Sequence, residues 1–262
     1  MSENLDFLHN ALKYLGFGEH TQLNQDLEDH VTQGRQSFEL ETEAHFDSET
    51  VLSARLFFRR SKDLNDPRYF LNKYEAHLQY PGKAEMDVVK MFYIESSCRG
   101  VTFKQAFNLM QGRYVQRKIV DQNGEKHDRW LHLEPLIKGQ DGYRYLRHIK
   151  LHFDLDKALE RYPIRELNSP EARDWICQSL RRGNLHPVTF VHESGKIESR
   201  LLYANPENGV ISNVSAATSA RPKKGKTFPI TELPEIEHPS GDPIRESTLE
   251  EEPAPARKRA HL

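Results

Sequence analysis

Leu5, Leu8, Leu12 and Leu15 recur at steps of three and four residues, which places them on one face of a helix, and Gly16-Phe17 supplies its stop. Leu23, Leu27 and Val31 predict a second short helix ending at Gly34. At Ser37 the period changes. Phe38, Leu40, Thr42, Ala44 and Phe46 alternate with Glu39, Glu41, Glu43 and His45, the pattern of a strand with one wet face. After a turn at Asp47-Ser48 the alternation resumes through Leu52, Ala54, Leu56 and Phe58. Tyr69 to Tyr80 and Met86 to Glu95, parted by Pro81-Gly82, predict two further strands. Residues 1–98 therefore read as two helices on a four-stranded antiparallel sheet.

The second half repeats itself. Thr102 and Gln105 form a capping box for a helix through Met110, Gly112 stops it, and two strands flank the hairpin dipeptide Asn123-Gly124. Further on, Ser169-Pro170-Glu171 opens a helix, Gly183 stops it, and two strands flank Ser194-Gly195. Superimposed with a shift of 71 and no gap, the two stretches agree at Leu109/Leu180, Gly112/Gly183, Val120/Val191, Gly124/Gly195, Arg129/Arg200, Leu131/Leu202 and Pro135/Pro206. The identities fall on the helix stop, the turn and the strand end, where backbone geometry restricts the choice of residue. Residues 99–214 thus read as a duplicated helix-hairpin (αββ) unit. Between the copies the pattern predicts a strand over Tyr143 to Phe153 and a short helix over Asp154 to Arg161, and a last strand follows over Gly209 to Val214. The expected class is α+β, with residues 1–98 and 99–214 forming one domain or two.

Beyond Ser215 the chain turns to Ser, Ala, Pro, Lys and Glu in charge blocks such as ARPKKGK and ESTLEEEP without apolar periodicity, so residues 215–262 are expected to be a disordered tail. That tail accounts for much of the low mean hydropathy, −0.76. No run approaches the roughly 18 consecutive apolar residues of a membrane span, and MSENLDFLHN lacks the order of a signal peptide. A cytoplasmic protein without a membrane partner is the expectation. Cys98 and Cys177 lie outside any CxxC spacing, which argues against a disulfide framework or a zinc knuckle.

The net charge of −2 conceals an asymmetry: residues 1–50 carry eleven acids and two bases, residues 51–213 twenty acids and twenty-seven bases. A basic middle suits a polyanion, but an acidic start could equally be its intramolecular partner.

"LMQGRYVQRKIVDQNGEKHDRWLHL", "RYPIRELNSPEARDWICQSLRRGNLHPVTF" and "LLYANPENG", together with the opening "LKYLGFGE", resemble a family of uncharacterised accessory proteins carried by conjugative and other mobile elements of Bacteroidetes. The resemblance spans residues 1–213 and is most specific at Gly112-Arg113, Asn123-Gly124, Trp130, Gly183-Asn184 and Ala204-Asn205-Pro206. It implies a setting, an accessory role in a mobile element beside DNA-processing genes, and carries over no catalytic residue.

The chemistry-bearing feature is a basic and aromatic ribbon. Arg113, Tyr114, Arg117, Lys118, Lys126, Arg129 and Trp130 on the first hairpin would join Arg144, Arg147 and Lys150 if the Tyr143 to Phe153 strand lies beside it. Such a surface could neutralise phosphates while Tyr114, Tyr143 or Trp130 stack on bases. The bland alternative is the wet face of an ordinary hairpin. His148 and His152 share a strand face with His132 nearby, but residues four apart on a strand are separated by about 13 Å, too far to chelate one ion. Cys98 precedes a helix start, where a thiolate is favoured, yet no histidine can be assigned as its base. Walker, GxGxxG and GxSxG motifs are missing, so no cofactor is expected. The function expected is non-catalytic association with nucleic acid or a nucleoprotein complex. The alternative is a protein-binding adaptor that uses a sheet edge or the acidic N-terminal helices, and a third reading is a cysteine-dependent hydrolase built on Cys98.

Overall fold

The computed structural model describes residues 2–18, 21–63, 68–94, 100–120, 124–134, 145–150 and 152–215. Cys98, Asn123, Pro135, Tyr143, Arg144 and the tail fall outside the described residues.

Helix α1 (Ser2–Leu15) buries Leu8, Leu12 and Leu15, and α2 (Thr21–Thr32) buries Leu23, Leu27 and Val31, as their spacing requires. Four antiparallel strands follow, β1 (Ser37–Ala44), β2 (Val51–Arg60), β3 (Tyr69–Gln79) and β4 (Val88–Tyr93), paired in chain order. Alternation on β3 is broken at Asn72-Lys73, where a bulge shifts the register: Phe57 opposes Lys73 but Phe58 opposes Leu71. Leu71 and Tyr74 are therefore both buried although three residues apart. The Tyr74 hydroxyl donates to the Val101 carbonyl oxygen at 2.7 Å and ties this sheet to the start of the duplicated region.

That region opens with α3 (Phe103–Met110), whose capping box is complete: Gln105 N–H donates to Thr102 Oγ1 at 3.3 Å and Thr102 N–H to Gln105 Oε1 at 3.1 Å. β5 (Val115–Val120) and β6 (Lys126–Leu133) form the first hairpin and β7 (Leu146–Ile149) joins β6. The Tyr143 to Phe153 strand is thus confined, among described residues, to four residues, because the chain leaves the sheet toward the Asp154 N-cap of α4 (Leu155–Leu159). α5 (Pro170–Arg181) is capped by Ser169, and β8 (His186–Val191), β9 (Ile197–Asn205) and β10 (Val210–Ser215) form a second three-stranded sheet.

The duplication is visible in the pairing itself. Val115 opposes Leu131 and Val120 opposes Lys126; 71 residues later His186 opposes Leu202 and Val191 opposes Ile197. The helix stops match too, with Gly112 N–H bonded to Leu109 O and Gly183 N–H to Leu180 O, both at 2.9 Å. The copies diverge at the third strand, which β10 reaches through the short turn Pro206–Gly209, whereas residues 134–145 separate β6 from β7.

One apolar core is formed by α1, α2, the inner face of the four-stranded sheet, α3, and Val115, Leu131 and Leu133 of the first hairpin. A second gathers Trp130 and Ile149 with α4, α5 and β8–β10. The sheet β5-β6-β7 has one face in each core, so the first core runs across the boundary read at residues 98/99 and the halves are packed together.

Candidate nucleic-acid interface

Directly opposed residues of an antiparallel ladder share a face. Arg117 opposes Arg129, and Leu131 opposes both Val115 and His148, so these five face the first core. Lys118 opposes Asp128, Val120 opposes Lys126, Trp130 opposes Gln116 and Ile149, and His132 opposes Arg147; these face the other way. The ribbon expected from the sequence is therefore divided between two faces. The same register separates His132 from His148, and among the described residues no three His, Cys, Asp or Glu side chains are gathered as a metal site.

Four of the ribbon residues are built into the fold. Trp130, 1 % exposed, is a second-core residue edge-on to Phe153, and it has no free face for a base. Tyr114 is buried flat against the His132 ring, centroids 4.4 Å apart, and its hydroxyl donates to the Glu207 carboxylate. The stacking role expected for these two aromatics is corrected by the second unit, which covers that face. Arg113 donates to Asn108 Oδ1 at 2.6 Å and lies over the Phe107 ring; burial lowers its pKa to about 10 despite nearby Asp47. Arg147 is held between Glu134, at 2.7 Å, and Glu207. Lys118 is exposed, 3.4 Å from Asp128, and Lys126 and Lys150 are exposed.

What the structure does bring together is a cleft of about 280 Å³ where β4, the edge of its sheet, meets β5 and the first-core face of its sheet. Its floor is apolar, from Phe92, Val101, Ile119, Leu131 and Leu146, and Lys90, Arg117 and His148 stand around it; Lys118 and Tyr93 also border it, but alternation turns their side chains to the opposite faces of their strands. Among the described residues none lining it is acidic. Burial holds the Lys90 ammonium below its ordinary pKa, and burial together with the Arg129 guanidinium does the same to the His148 imidazole. Both directions identify surroundings in which a bound anion would stabilise the charged forms. A larger open hollow, about 600 Å³, at Tyr162 and His192 sets Glu160 and Glu193 beside Arg161 and so has no preference for an anion.

The acidic start of the chain is not the partner of this cleft at β1. Glu39, Glu41 and Glu43 lie on β1, at the far edge of the same sheet, three strand spacings or roughly 14 Å from β4. That exceeds the screening length of about 8 Å at physiological salt. One neighbour on β2 absorbs part of its charge: Arg55 lies 3.7 Å from Glu39, and it also pairs with Glu75 of β3 at 2.6 Å.

Lys90 and Tyr93 were not singled out from the sequence, although a signal existed. Lys90 shares the inward phase of β4 with Val88 and Phe92, opposite Ala76, Leu78 and Tyr74, an unusual place for a lysine. Cys177 is buried in the second core, and burial and the Asp156 carboxylate push its thiol up to about 12, far from a nucleophile's range. Among the described residues no helix is long and apolar enough to cross a membrane. No protein-family model, curated protein or solved structure matches the chain.

Proposed function

We propose that the chain is a non-catalytic accessory protein of a mobile element that associates with nucleic acid, alone or within a nucleoprotein complex, through the cleft between β4 and β5. The observation that carries this reading is the cationic rim of Lys90 and Arg117 with no described acidic lining residue. Arg129, opposite Arg117 on the same face, extends the positive field beyond the cleft. The family resemblance supplies the mobile-element setting and a cytoplasmic location. Binding of labelled oligonucleotides across about 50 to 200 mM salt tests the reading, because phosphate contacts give a steep linear fall of log affinity with log salt. Absence of binding even at low salt overturns it.

The adaptor reading has its own observation: β4 is an edge strand carrying Val89, 45 % exposed, and Tyr93, 75 % exposed, so its free backbone groups could pair with an extended peptide. Capture of a protein partner that nuclease and salt leave unchanged would favour it.

A further inference from the structure

We infer that the ligand of the cleft is single-stranded nucleic acid, held with a base on the apolar floor and its phosphates at the cationic rim. The inference rests on the reading above and adds the class of polymer. A duplex offers phosphates on its outside and keeps its bases stacked within, so it would meet the rim and leave the floor unused. A single strand can splay a base out, and every base has an apolar face to set on a hydrophobic surface. The floor is suited to that contact: Ile119 and Leu146 are only half-buried and keep apolar surface open above the buried Phe92 and Leu131, while Lys90, Arg117 and His148 stand around them. The cleft's volume, about 280 Å³, matches one inserted group rather than the width of a duplex. Ile119, half-buried and in phase with Arg117 on the face that lines the cleft, is the floor residue placed to carry the base.

The test compares four labelled probes by fluorescence anisotropy with the full chain at low salt: oligothymidine, oligouridine, an abasic strand of the same length, and a duplex. The abasic strand keeps the phosphates and removes only the bases. The expected result is binding of oligothymidine or oligouridine about tenfold tighter than the abasic strand, the scale of one stacked base. Ile119→Ser should bring the base-bearing strand down toward the abasic level without changing abasic binding, and Ile119→Val should keep the preference for bases. Ile119 is half-buried, so unchanged abasic binding and thermal melts show that both variants stay folded. Equal binding of abasic and base-bearing strands, or a duplex bound as tightly as either single strand, overturns the inference while leaving nucleic-acid association standing. If no probe binds, the functional reading falls and this inference with it.

Discussion

Gly183 lies directly against Tyr114: a Cβ on the glycine would stand 2.8 Å from the Tyr114 carbonyl oxygen. It would also lie 2.8 Å from Val115 Cγ2, so this approach joins the two copies of the duplicated unit. Gly112, its counterpart, has the same left-handed backbone, φ +76° against +79°, but nothing within 4 Å of the corresponding point. The pair separates backbone strain from packing. Gly112→Ala should cost about 1–2 kcal/mol from the left-handed conformation alone. Gly183→Ala should add about 1–3 kcal/mol of overpacking. Urea unfolding of both variants measures the difference; equal losses would mean that the copies do not pack through Gly183.

Asn108, with no exposed surface, is the polar link at the same junction. Its amide donates to Arg182 O at 2.8 Å and Asn184 Oδ1 at 2.9 Å, and its Oδ1 accepts from Arg113. Asn108→Ala leaves these groups short of partners in an enclosed site and should destabilise by about 1–3 kcal/mol. Because Asn184 is a direct partner, Asn108→Ala and Asn184→Ala together should cost less than the sum of the two singles by about 0.5 kcal/mol or more. A strictly additive double-mutant cycle would deny the coupling.

The duplication was legible because its signals are local: a capping box, a helix-stopping glycine and a turn glycine specify backbone shape, and the 71-residue shift carried the strand register with them. The splitting of the ribbon was legible too. Arg117 and Lys118 are neighbours on a strand and must point to opposite faces, so cations had to be counted by face rather than by segment. The burial of Trp130 was not legible, since it sits in phase with Asp128 and His132 on what reads as the wet face. Only the second unit, folded over that face, makes it a core residue. The cleft was hidden for a similar reason, because its walls come from β4 and from β5–β7, which no local pattern associates.

Protons should act on the clasp between the units. Burial lowers the His132 pKa, Glu207 opposing this and Arg147 reinforcing it, while unfolded histidines titrate near about pH 6.5. Between the folded value and about 6.5 the unfolded chain binds more protons than the folded one, so stability rises with pH across that window. Acidification through pH 6.5 should therefore begin to erode stability, with the buried His186 acting in the same direction. Glu207 answers later. Burial alone would raise its pKa, but hydrogen bonds from Tyr114 and Arg147 outweigh that and hold it low. Its contribution is present above the ordinary carboxylate value and is lost as pH falls through the folded one. His132→Phe keeps a ring against Tyr114 and removes the titration, so its unfolding free energy should fall less steeply than wild type just below about pH 6.5. An unchanged slope would show that His132 is not linked to stability.

The division of the basic ribbon by face predicts which cations bind. Arg117 and Lys126 belong to the same hairpin and carry the same charge, but Arg117 faces the cleft with Arg129, whereas Lys126 pairs with Val120 on the opposite face. Arg117→Ser should reduce the log-log salt slope for single-stranded binding by about 0.7 and weaken binding at low salt, because one phosphate contact is lost. Lys126→Ser removes an equal charge from an exposed site and should leave the slope unchanged. Arg117→Ser with Arg129→Ser should reduce the slope by about twice the single value if both guanidiniums contact phosphate. Lys126 is exposed, where substitutions usually shift stability by no more than about 0.5 kcal/mol, and thermal melts check that the half-buried Arg117 and Arg129 variants also stay folded. Equal effects of Arg117→Ser and Lys126→Ser would mean that net charge alone governs the association, and the cleft would lose its claim to the ligand.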